Sequence, residues 1–242
     1  MLPSGISDLS DLCEKRGCPV FSCFYDAAEQ AAAVRGGFVF GGAELWGGHE
    51  ECERKILGVF PDWEEPEHSA YPIRAIKISH TYPRALSHRD YLGSIMALGI
   101  ERNRIGDIFV FENYAVCFVC ESICNYIMNG LSKIGSVGVK LSDITGEEVQ
   151  APEKKTKKIN AVSASQRLDA VLSAVTGESR SKAASLIEHE RVSVNHEIVC
   201  DTSKKISEGD LLSVKGSGRF RINSFGAKTR SDRIHISAEK YI

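Results

Sequence analysis

The residues with the clearest chemical potential lie in the last third of the chain, where cations follow a helix-start signal. Ser179 precedes Arg180, Ser181 and Lys182, so these three residues occupy the first turn of a predicted helix. The backbone N–H groups and the dipole of a helix N-terminus favour an anion. Arginine and lysine side chains at the same turn add phosphate-binding donors. The pattern therefore predicts a phosphate-binding surface and no bond-making chemistry.

Two short helices and a small sheet must position these cations. The first predicted helix follows a serine-rich cap signal at residues 163–166 and stops at Gly177. The apolar stripes of the two helices consist of Leu168, Val171, Leu172 and Val175, and of Ala183, Leu186 and Ile187. A hairpin is predicted around Asn195, where His196 occupies the turn position that usually holds glycine. We therefore expect a locally altered turn and an unaffected helical surface.

Taken in order, these residues resemble an S4 domain over about residues 165–215. The matching motifs are Arg167-Leu168-Asp169, Ser179 to Ala183, Val192 to Asn195, and Glu208-Gly209-Asp210. S4 domains bind structured RNA, chiefly through their second helix and the residues beside it. The resemblance therefore implicates Arg167, Arg180, Ser181, Lys182 and Arg191 in RNA binding, with Lys204 and Lys205 as flanking candidates.

The charge of the chain is divided unevenly. Residues 1–150 contain 13 Lys and Arg against 21 Asp and Glu, which gives a net charge of −8. Residues 151–242 contain 17 against 11, which gives a net charge of +6. The net charge of the whole chain is only −2. Four lysines lie between Pro152 and Lys158. A basic tail that either widens the RNA footprint or completes the sheet contains Arg219, Arg221, Lys228, Arg230 and Arg233. Such a division is typical of a polyanion-binding module joined to a body with a different role.

Residues 70–146 change periodicity in the order strand, helix, strand, strand, helix, strand. Alternation around Ile78 indicates the first strand, and Ser87 with Asp90 forms a capping box for the first helix. We predict that the second helix carries its apolar stripe to Ile134, and that the last strand contains Val137, Val139 and Leu141. The order βαββαβ predicts a ferredoxin-like sheet with two helices on one face. The central strand lacks an aromatic RNA-binding string, so RNA binding and a packing role both stay open here.

Short motifs outside the S4 match resemble the bacterial YlmH family. They are Phe40-Gly41-Gly42, Glu53-Arg54-Lys55, Phe60-Pro61-Asp62, Ser87 to Ser94, Leu98-Gly99-Ile100 and Ile105-Gly106-Asp107-Ile108. The resemblance covers nearly the whole chain and implies an N-terminal region, an RNA-binding α/β domain and a C-terminal S4 domain. It also implies a cytoplasmic RNA-binding role at the large ribosomal subunit and tRNA during rescue of stalled translation, with an association with cell division.

These observations predict an α+β chain. A mixed N-terminal region takes residues 1–68, a ferredoxin-like βαββαβ domain that is a candidate for RNA binding takes 69–148, and a basic linker takes 149–162. An S4 (αL-type) RNA-binding domain with a basic C-terminal extension takes 163–242. As function we predict non-catalytic binding of structured RNA, either rRNA or tRNA, by a ribosome-associated factor.

An RNA-modifying enzyme is the first alternative. S4 modules are often attached to pseudouridine synthases, whose catalytic aspartate lies in a Gly-Arg-Leu-Asp motif that Arg167-Leu168-Asp169 resembles. Here Gln166 replaces the glycine, and only residues 170–242 would follow for a catalytic domain. Arg167 and Asp169 also suit a local ion pair, a role that needs no RNA. We therefore predict no enzymatic activity and no catalytic residue.

A protein-interaction adaptor is the second alternative. Its acidic first half would dock a partner, and that binding would survive mutation of Arg180 and Lys182.

No cofactor, metal ion, membrane or small-molecule substrate is expected. No apolar run approaches the roughly 18 residues of a membrane span, and the first residues lack the pattern of a secretion signal. The eight cysteines are expected to be reduced in a cytosol and to serve mainly as small buried residues. Cys117 and Cys120 lie three apart in an apolar strand and therefore point to opposite faces, which does not suit zinc.

Overall fold

The computed structural model describes residues 6–35, 42–81, 86–153, 156–229 and 232–241. Of the residues singled out above, Phe40, Gly41 and Arg230, together with two lysines of the predicted linker (residues 154 and 155), lie outside these ranges. The chain divides into two compact units, Met1–Pro152 and Glu153–Ile242. Each unit is described by itself below.

The first unit begins with a three-stranded antiparallel sheet and two helices. Its elements are α1 (Ile6–Arg16), β1 (Val20–Tyr25), α2 (Ala27–Arg35), β2 (Ala43–Trp46) and β3 (Lys55–Val59), with the strand order β1-β3-β2. Asp26 starts α2 because its carboxylate accepts the backbone N–H groups of Ala28 and Glu29 at 3.0 and 2.9 Å. Glu29 returns the interaction by accepting the Asp26 N–H at 2.7 Å. This reciprocal cap allows the Ala-rich helix α2 to begin directly after β1.

A four-stranded antiparallel sheet forms the centre of the first unit. Its elements are β4 (Ile73–Ser79), α3 (His88–Met96), β5 (Ile105–Val110), β6 (Tyr114–Cys120), α4 (Glu121–Gly130), the short pair β7 (Lys133–Ile134) and β8 (Val137–Gly138), and β9 (Lys140–Asp143). The strand order is β5-β6-β4-β9. The predicted capping box is confirmed, since the Ser87 hydroxyl accepts the Asp90 N–H and the Asp90 carboxylate accepts the Ser87 N–H at 2.8 Å.

Both faces of the central sheet are covered, because side chains alternate between the two sides of each strand. Ile76 and Ile78 on one face pack in a core with residues of α3 and α4 such as Tyr91 and Ile127. The opposite face packs on the first sheet through a second core that contains Phe24, Ile56, Phe60, Phe109, Val116 and Phe118. The first unit is thus layered as helices, sheet, sheet and helices. The predicted boundary at residue 68 accordingly separates two pieces that share one core.

One glycine permits the two sheets to approach each other. A Cβ atom on Gly106 of β5 would lie 2.6 Å from the Phe24 ring and 3.1 Å from the Phe118 carbonyl oxygen. Real Cβ contacts are longer, so a larger residue would push Phe24 out of its position. Gly106 belongs to one of the motifs that resemble the YlmH family, and its role here is steric.

Two sequence-based element assignments in the central sheet were wrong. α4 ends at Gly130, whereas the apolar stripe continues to Leu131 and Ile134, which are buried outside the helix. The last strand is Lys140–Asp143, and Val137 belongs to the separate short strand β8. These side chains are apolar because tertiary packing buries them. Their spacing therefore matched a helix or a strand although the backbone does not continue as one. In contrast, Cys117 and Cys120 pack into opposite cores of the sheet, as predicted.

The second unit pairs two helices with a six-stranded antiparallel sheet. Its elements are β10 (Thr156–Ser163), α5 (Leu168–Thr176), α6 (Arg180–Glu188), β11 (Val192–Val194), β12 (Glu197–Ile198), β13 (Leu211–Val214), β14 (Gly218–Lys228) and β15 (Ile234–Tyr241). The strand order is β10-β15-β14-β13-β11-β12. The predicted apolar stripes of α5 and α6 lie in the core of this unit, with Leu186 at its margin. Gly177 ends α5 in the left-handed region at φ 76°.

The prediction of a linker over residues 149–162 is corrected by β10. Thr156–Ser163 pairs along its full length with β15, from Thr156 opposite Tyr241 to Ser163 opposite Ile234. The strand lies at the edge of the sheet and is mostly exposed, so its lysines gave it the composition of a solvated segment. Of the basic tail, Arg219, Arg221 and Lys228 lie in β14, which pairs with β15 and so extends the sheet.

The β11–β12 turn keeps ordinary hairpin geometry despite its histidine. Asn195 and His196 have φ values of 50° and 71°, the positive pair that a type I′ turn requires. The Asn195 side chain donates to the Asp210 carboxylate at 2.8 Å and accepts the Leu211 N–H at 2.9 Å. These bonds tie the turn to the start of β13. The altered turn that we expected at His196 was therefore a wrong prediction.

Truncation of a core residue in α5 should destabilise the second unit selectively. Leu172 is completely buried, so Leu172→Ala removes packing atoms and leaves a cavity, at a cost of about 2–5 kcal/mol. Urea unfolding followed by amide hydrogen exchange, resolved by peptide, measures each unit separately. Ile198→Ala, at a side chain that is 63% exposed, is the matched control and should change stability by less than about 0.5 kcal/mol. Equal effects of both substitutions would contradict the assigned core.

Candidate nucleic-acid interface

One buried carboxylate joins the two helices of the second unit at their N-terminal ends. Asp169, the second residue of α5, is 6% exposed. Its Oδ1 accepts from Arg167 Nε at 3.1 Å, and its Oδ2 accepts from Nε and Nη2 of Arg180 at 3.0 and 2.9 Å. Oδ1 also accepts the Ala170 N–H at 2.9 Å. We refer to Arg167, Asp169 and Arg180 as the Asp169 clamp.

The clamp sets the ionisation of Asp169. Burial alone would raise the pKa of this carboxyl group, but hydrogen bonds from Arg167 and Arg180 outweigh it and hold the pKa below its ordinary value. The carboxylate therefore stays charged near neutral pH. The side chains of Arg167 and Arg180 remain 45% and 55% exposed, so they extend from a buried anchor toward solvent. The local pair that the sequence suggested is present, and it includes a second arginine that the sequence did not reveal.

A loop after β12 brings two further lysines to the clamp. The Leu168 N–H donates to the Lys204 carbonyl at 2.8 Å, and the Ile206 N–H donates to the Gln166 carbonyl at 2.8 Å. Arg167 and Lys205 form a single antiparallel bridge between these segments. Lys205 is exposed and Lys204 is half-buried. The loop thus places both lysines beside Arg167.

The first turn of α6 adds Ser181 and Lys182, both of which are exposed. The Ser179 hydroxyl accepts the Lys182 N–H at 3.3 Å, which confirms Ser179 as the cap. It also lies 3.1 Å from the Ser181 hydroxyl, and Lys182 Nζ contacts Glu178 at 2.8 Å. Part of the anion-binding capacity expected at this turn is therefore already used within the protein. We call the clamp with Ser181, Lys182, Lys204 and Lys205 the cation face.

Arg191 is the one predicted residue that lies apart from the cation face. It follows α6, whose nine residues span about 13 Å, whereas Arg180 begins that helix. Arg191 donates to the Lys215 carbonyl at 3.3 Å and lines a groove of about 400 Å³ with Lys215, Arg219 and Ile198. The sequence analysis did not single out Lys215 beside this groove. The available signal in the sequence was the pair of glycines that follows it, Gly216 and Gly218, which form a turn with positive φ at both positions.

Within the described ranges, no three His, Cys, Asp or Glu residues are grouped so that they could hold a metal ion. Five of the cysteines are buried, namely Cys13, Cys52, Cys117, Cys120 and Cys124. Burial is the leading cause that raises the pKa of the Cys117 thiol to about 12, which disfavours the reactive thiolate form. Among the helices of the described residues, none has the length and apolar character needed to cross a membrane.

Comparison with known proteins assigns families to both units. Residues 66–148 match the family described as "Putative RNA-binding domain in YlmH", and residues 166–212 match the family described as "S4 domain". The Bacillus subtilis (strain 168) protein named "Ribosome-associated protein quality control protein P2" is 30% identical over 220 residues, which are 90% of this chain and 85% of that protein. A solved structure named "Cell division protein ylmH from Streptococcus pneumoniae" aligns with a TM-score of 0.49 and 22% identity, over 57% of this chain and 86% of that one.

Removal of the clamp charge should destabilise the second unit in a pH-dependent way. Asp169→Asn keeps the shape of the side chain but loses two charge-assisted interactions, at a cost of about 1–3 kcal/mol. Because the folded-state pKa lies below the unfolded value of about 3.9, this stabilisation is present above that value and is lost as pH falls through the folded pKa. Unfolding curves of both proteins between pH 7 and pH 2 should therefore converge in acid.

The control for this comparison is Glu188→Gln at the exposed end of α6, which should not change the pH dependence. A stability difference between Asp169→Asn and the native chain that stays constant down to pH 2 would rule out the clamp as its source.

Proposed function

The chain belongs to the YlmH family, and from this premise we propose that it is a non-catalytic factor that binds structured RNA of the ribosome. Two matches to RNA-binding families support the binding of RNA. The name of the Bacillus subtilis relative supports the association with ribosomes. We further propose that the factor acts in the cytoplasm on the large subunit and its bound tRNA, in quality control or rescue of stalled translation.

The cation face is the observation that carries this proposal. A guanidinium group has five N–H donors, and the described contacts of Asp169 engage only the Nε and Nη2 edge of Arg180. Arg167, Arg180, Lys204 and Lys205 carry four positive charges against the carboxylates of Asp169 and Asp201, so two positive charges remain. Phosphate groups of RNA bind such clustered cations and release counterions as they do so. We propose that Arg167, Arg180, Ser181, Lys182, Lys204 and Lys205 contact one RNA segment, and that Arg191 contacts RNA separately.

Preorganisation distinguishes the clamp from a set of mobile surface cations. Arg167 and Arg180 are each fixed by hydrogen bonds to a buried group, so less side-chain freedom is lost when they bind phosphate. Fixed guanidinium groups also select the position of a phosphate and not merely its charge. This favours binding to a folded RNA with defined phosphate spacing.

We also infer that the central sheet of the first unit is of the ferredoxin-like class. The support is its strand order β5-β6-β4-β9 together with the packing of α3 and α4 on one face. In this class the second strand lies at one edge and the last strand lies at the other.

Charge reversal on the cation face should weaken ribosome binding without disturbing the clamp. Lys182→Glu with Lys205→Glu changes two exposed side chains that do not contact Asp169, whereas reversal of Arg180 would also break the fold-stabilising pair. We expect co-sedimentation with isolated large subunits to weaken by at least about tenfold at 0.1 M salt, because each lost phosphate contact reduces affinity. Native binding should itself fall steeply across a salt series.

The matched control is Lys133→Glu with Lys140→Glu, which makes the same charge change on exposed residues of the first unit. It should bind large subunits like the native chain. Equal loss in both double variants would indicate a general charge effect and contradict the assigned face. Binding that persists in Lys182→Glu with Lys205→Glu would favour an adaptor that docks through its acidic half.

The absence of catalysis has its own test. Incubation of the purified chain with ribosomal RNA and tRNA should leave every nucleoside unchanged, including uridine, as measured by digestion and pseudouridine-specific mass spectrometry. Asp169, the counterpart of the synthase aspartate in the sequence motif, is buried and engaged by two arginines. Formation of pseudouridine that is lost in Asp169→Asn would overturn the non-catalytic assignment.

A further inference from the structure

The sheet of the second unit has one covered face and one open face. Val192, Val194 and Val214 point inward and belong to the core beneath α5 and α6. Side chains alternate along a strand, so Ser193 and Ser213, which are paired with each other, point to the opposite side. Both serines are half-buried. The open face therefore lies behind the sheet, away from the helices whose N-terminal ends carry the cation face.

The groove of about 400 Å³ beside Arg191 lies on this open face, since Ser193 and Ser213 line it. Its charged residues among those that the structure describes are three cations and one carboxylate, namely Arg191, Lys215, Arg219 and Glu190. Two positive charges therefore remain in the groove. The backbone holds two of the cations next to each other, because the Lys215 N–H donates to the Arg191 carbonyl at 3.0 Å and Arg191 Nη2 donates to the Lys215 carbonyl at 3.3 Å.

Strand β14 continues the row of cations beyond the groove. Arg219 lies opposite Ser213, and Arg221 follows on the same side of the strand, about 7 Å further along. The Arg219 guanidinium carbon is 5.3 Å from the centroid of the Tyr241 ring, and Arg221 Nε donates to the Tyr241 hydroxyl at 3.2 Å. Glu239 lies opposite Arg221. Tyr241 thus contacts both guanidinium groups, and Arg221 stays exposed at the end of the row.

Most of these cations lie outside the S4 match. The match ends at residue 212, whereas Lys215, Arg219 and Arg221 follow it in the last part of the chain. The strands that extend the sheet therefore add a second cationic surface to the S4 domain, on the side of the sheet opposite the cation face.

We propose that this groove binds the phosphate backbone of a double-stranded RNA segment, separate from the segment that the cation face binds. The proposal rests on the proposed function in taking RNA as the ligand of the chain, and it gives the separate contact of Arg191 a partner of defined form. Arginine, lysine and serine side chains are the groups that usually contact the phosphates and sugars of nucleic acids. The groove presents all three types on one open surface.

The composition of the groove favours a duplex over the other polyanions and over a protein. Single-stranded RNA is bound largely by stacking of its bases on aromatic rings, and the described residues that line the groove include no aromatic side chain. Double-stranded RNA is bound mainly through its shape, phosphates and hydroxyl groups. Protein interfaces are depleted of charge at their centre, whereas this groove is lined by three cations.

The position of the groove implies that the second unit binds two RNA segments at once. The cation face lies at the N-terminal ends of α5 and α6, and the groove lies on the far side of the sheet. A layer of helices is about 10 Å thick, so a short duplex on one surface does not reach the other. The two surfaces are therefore expected to be filled independently.

The test is native mass spectrometry of the full chain with an excess of a blunt ten-base-pair RNA duplex. The native chain should bind two duplexes. Lys215→Glu with Arg221→Glu reverses two exposed charges and should remove one duplex. Lys215→Arg with Arg221→Lys keeps both charges and should retain two duplexes, which separates the effect of charge from that of packing. Lys133→Glu with Lys140→Glu, on the first unit, is the matched charge reversal and should also retain two.

Fluorescence anisotropy of the Lys182→Glu with Lys205→Glu variant at 0.1 M salt measures the groove with the cation face impaired. The labelled duplex should bind at least fivefold more tightly than a ten-nucleotide oligouridine. Addition of Lys215→Glu with Arg221→Glu should weaken duplex binding by about tenfold, because phosphate contacts are lost.

Failure of the groove and failure of the cation face give different results. If reversal of Lys182 and Lys205 left ribosome binding unchanged, the groove would still be supported by loss of a duplex on reversal of Lys215 and Arg221. Three results would overturn the proposal. They are equal numbers of duplexes on the native chain and on Lys215→Glu with Arg221→Glu, equal affinity for duplex and oligouridine, and an RNA-free dimer in sedimentation that these two substitutions dissociate.

Discussion

The second unit depends on the burial of one carboxylate between two arginines. Asp169 lies at the start of α5, and its partner Arg180 starts α6, so the pair fixes the N-terminal ends of both helices. A buried carboxylate without partners would cost several kcal/mol, which makes the two guanidinium groups structural requirements. Because they remain half-exposed, the same groups define a cationic surface. Stability and the candidate binding function therefore rest on the same three side chains.

Local signals in the sequence predicted most of the helices. Apolar residues at helical spacing located α5, and the cap at Ser179 and the stop at Gly177 gave the boundaries of the two S4 helices. The capping box at Ser87 did the same for α3. These features involve residues within one or two helical turns of each other, so they can be predicted from a short stretch of sequence. The order of strands and helices in the central sheet followed from the same kind of pattern.

Features that depend on contacts between residues far apart in sequence could not be predicted from local sequence patterns. β10 is paired with β15 across the whole length of the second unit, and its exposed lysines resemble a linker. Likewise, the Arg180–Asp169 contact joins two helices, and the layer of Phe24, Ile56 and Phe60 over the central sheet joins residues far apart in sequence. The separation of Arg191 from the other cations follows from the length of α6.

The pairing of β10 with β15 has a consequence for synthesis. Ser163 meets Ile234 and Thr156 meets Tyr241, so β10 leaves the ribosome well before its partner is translated. At ordinary elongation rates this delay is on the order of ten seconds, during which β10 has no partner strand. Ile236 and Ala238 of β15 also complete the core beneath α5 and α6. The nascent chain thus completes the core beneath the helices that carry the cation face only after β15 has been synthesised.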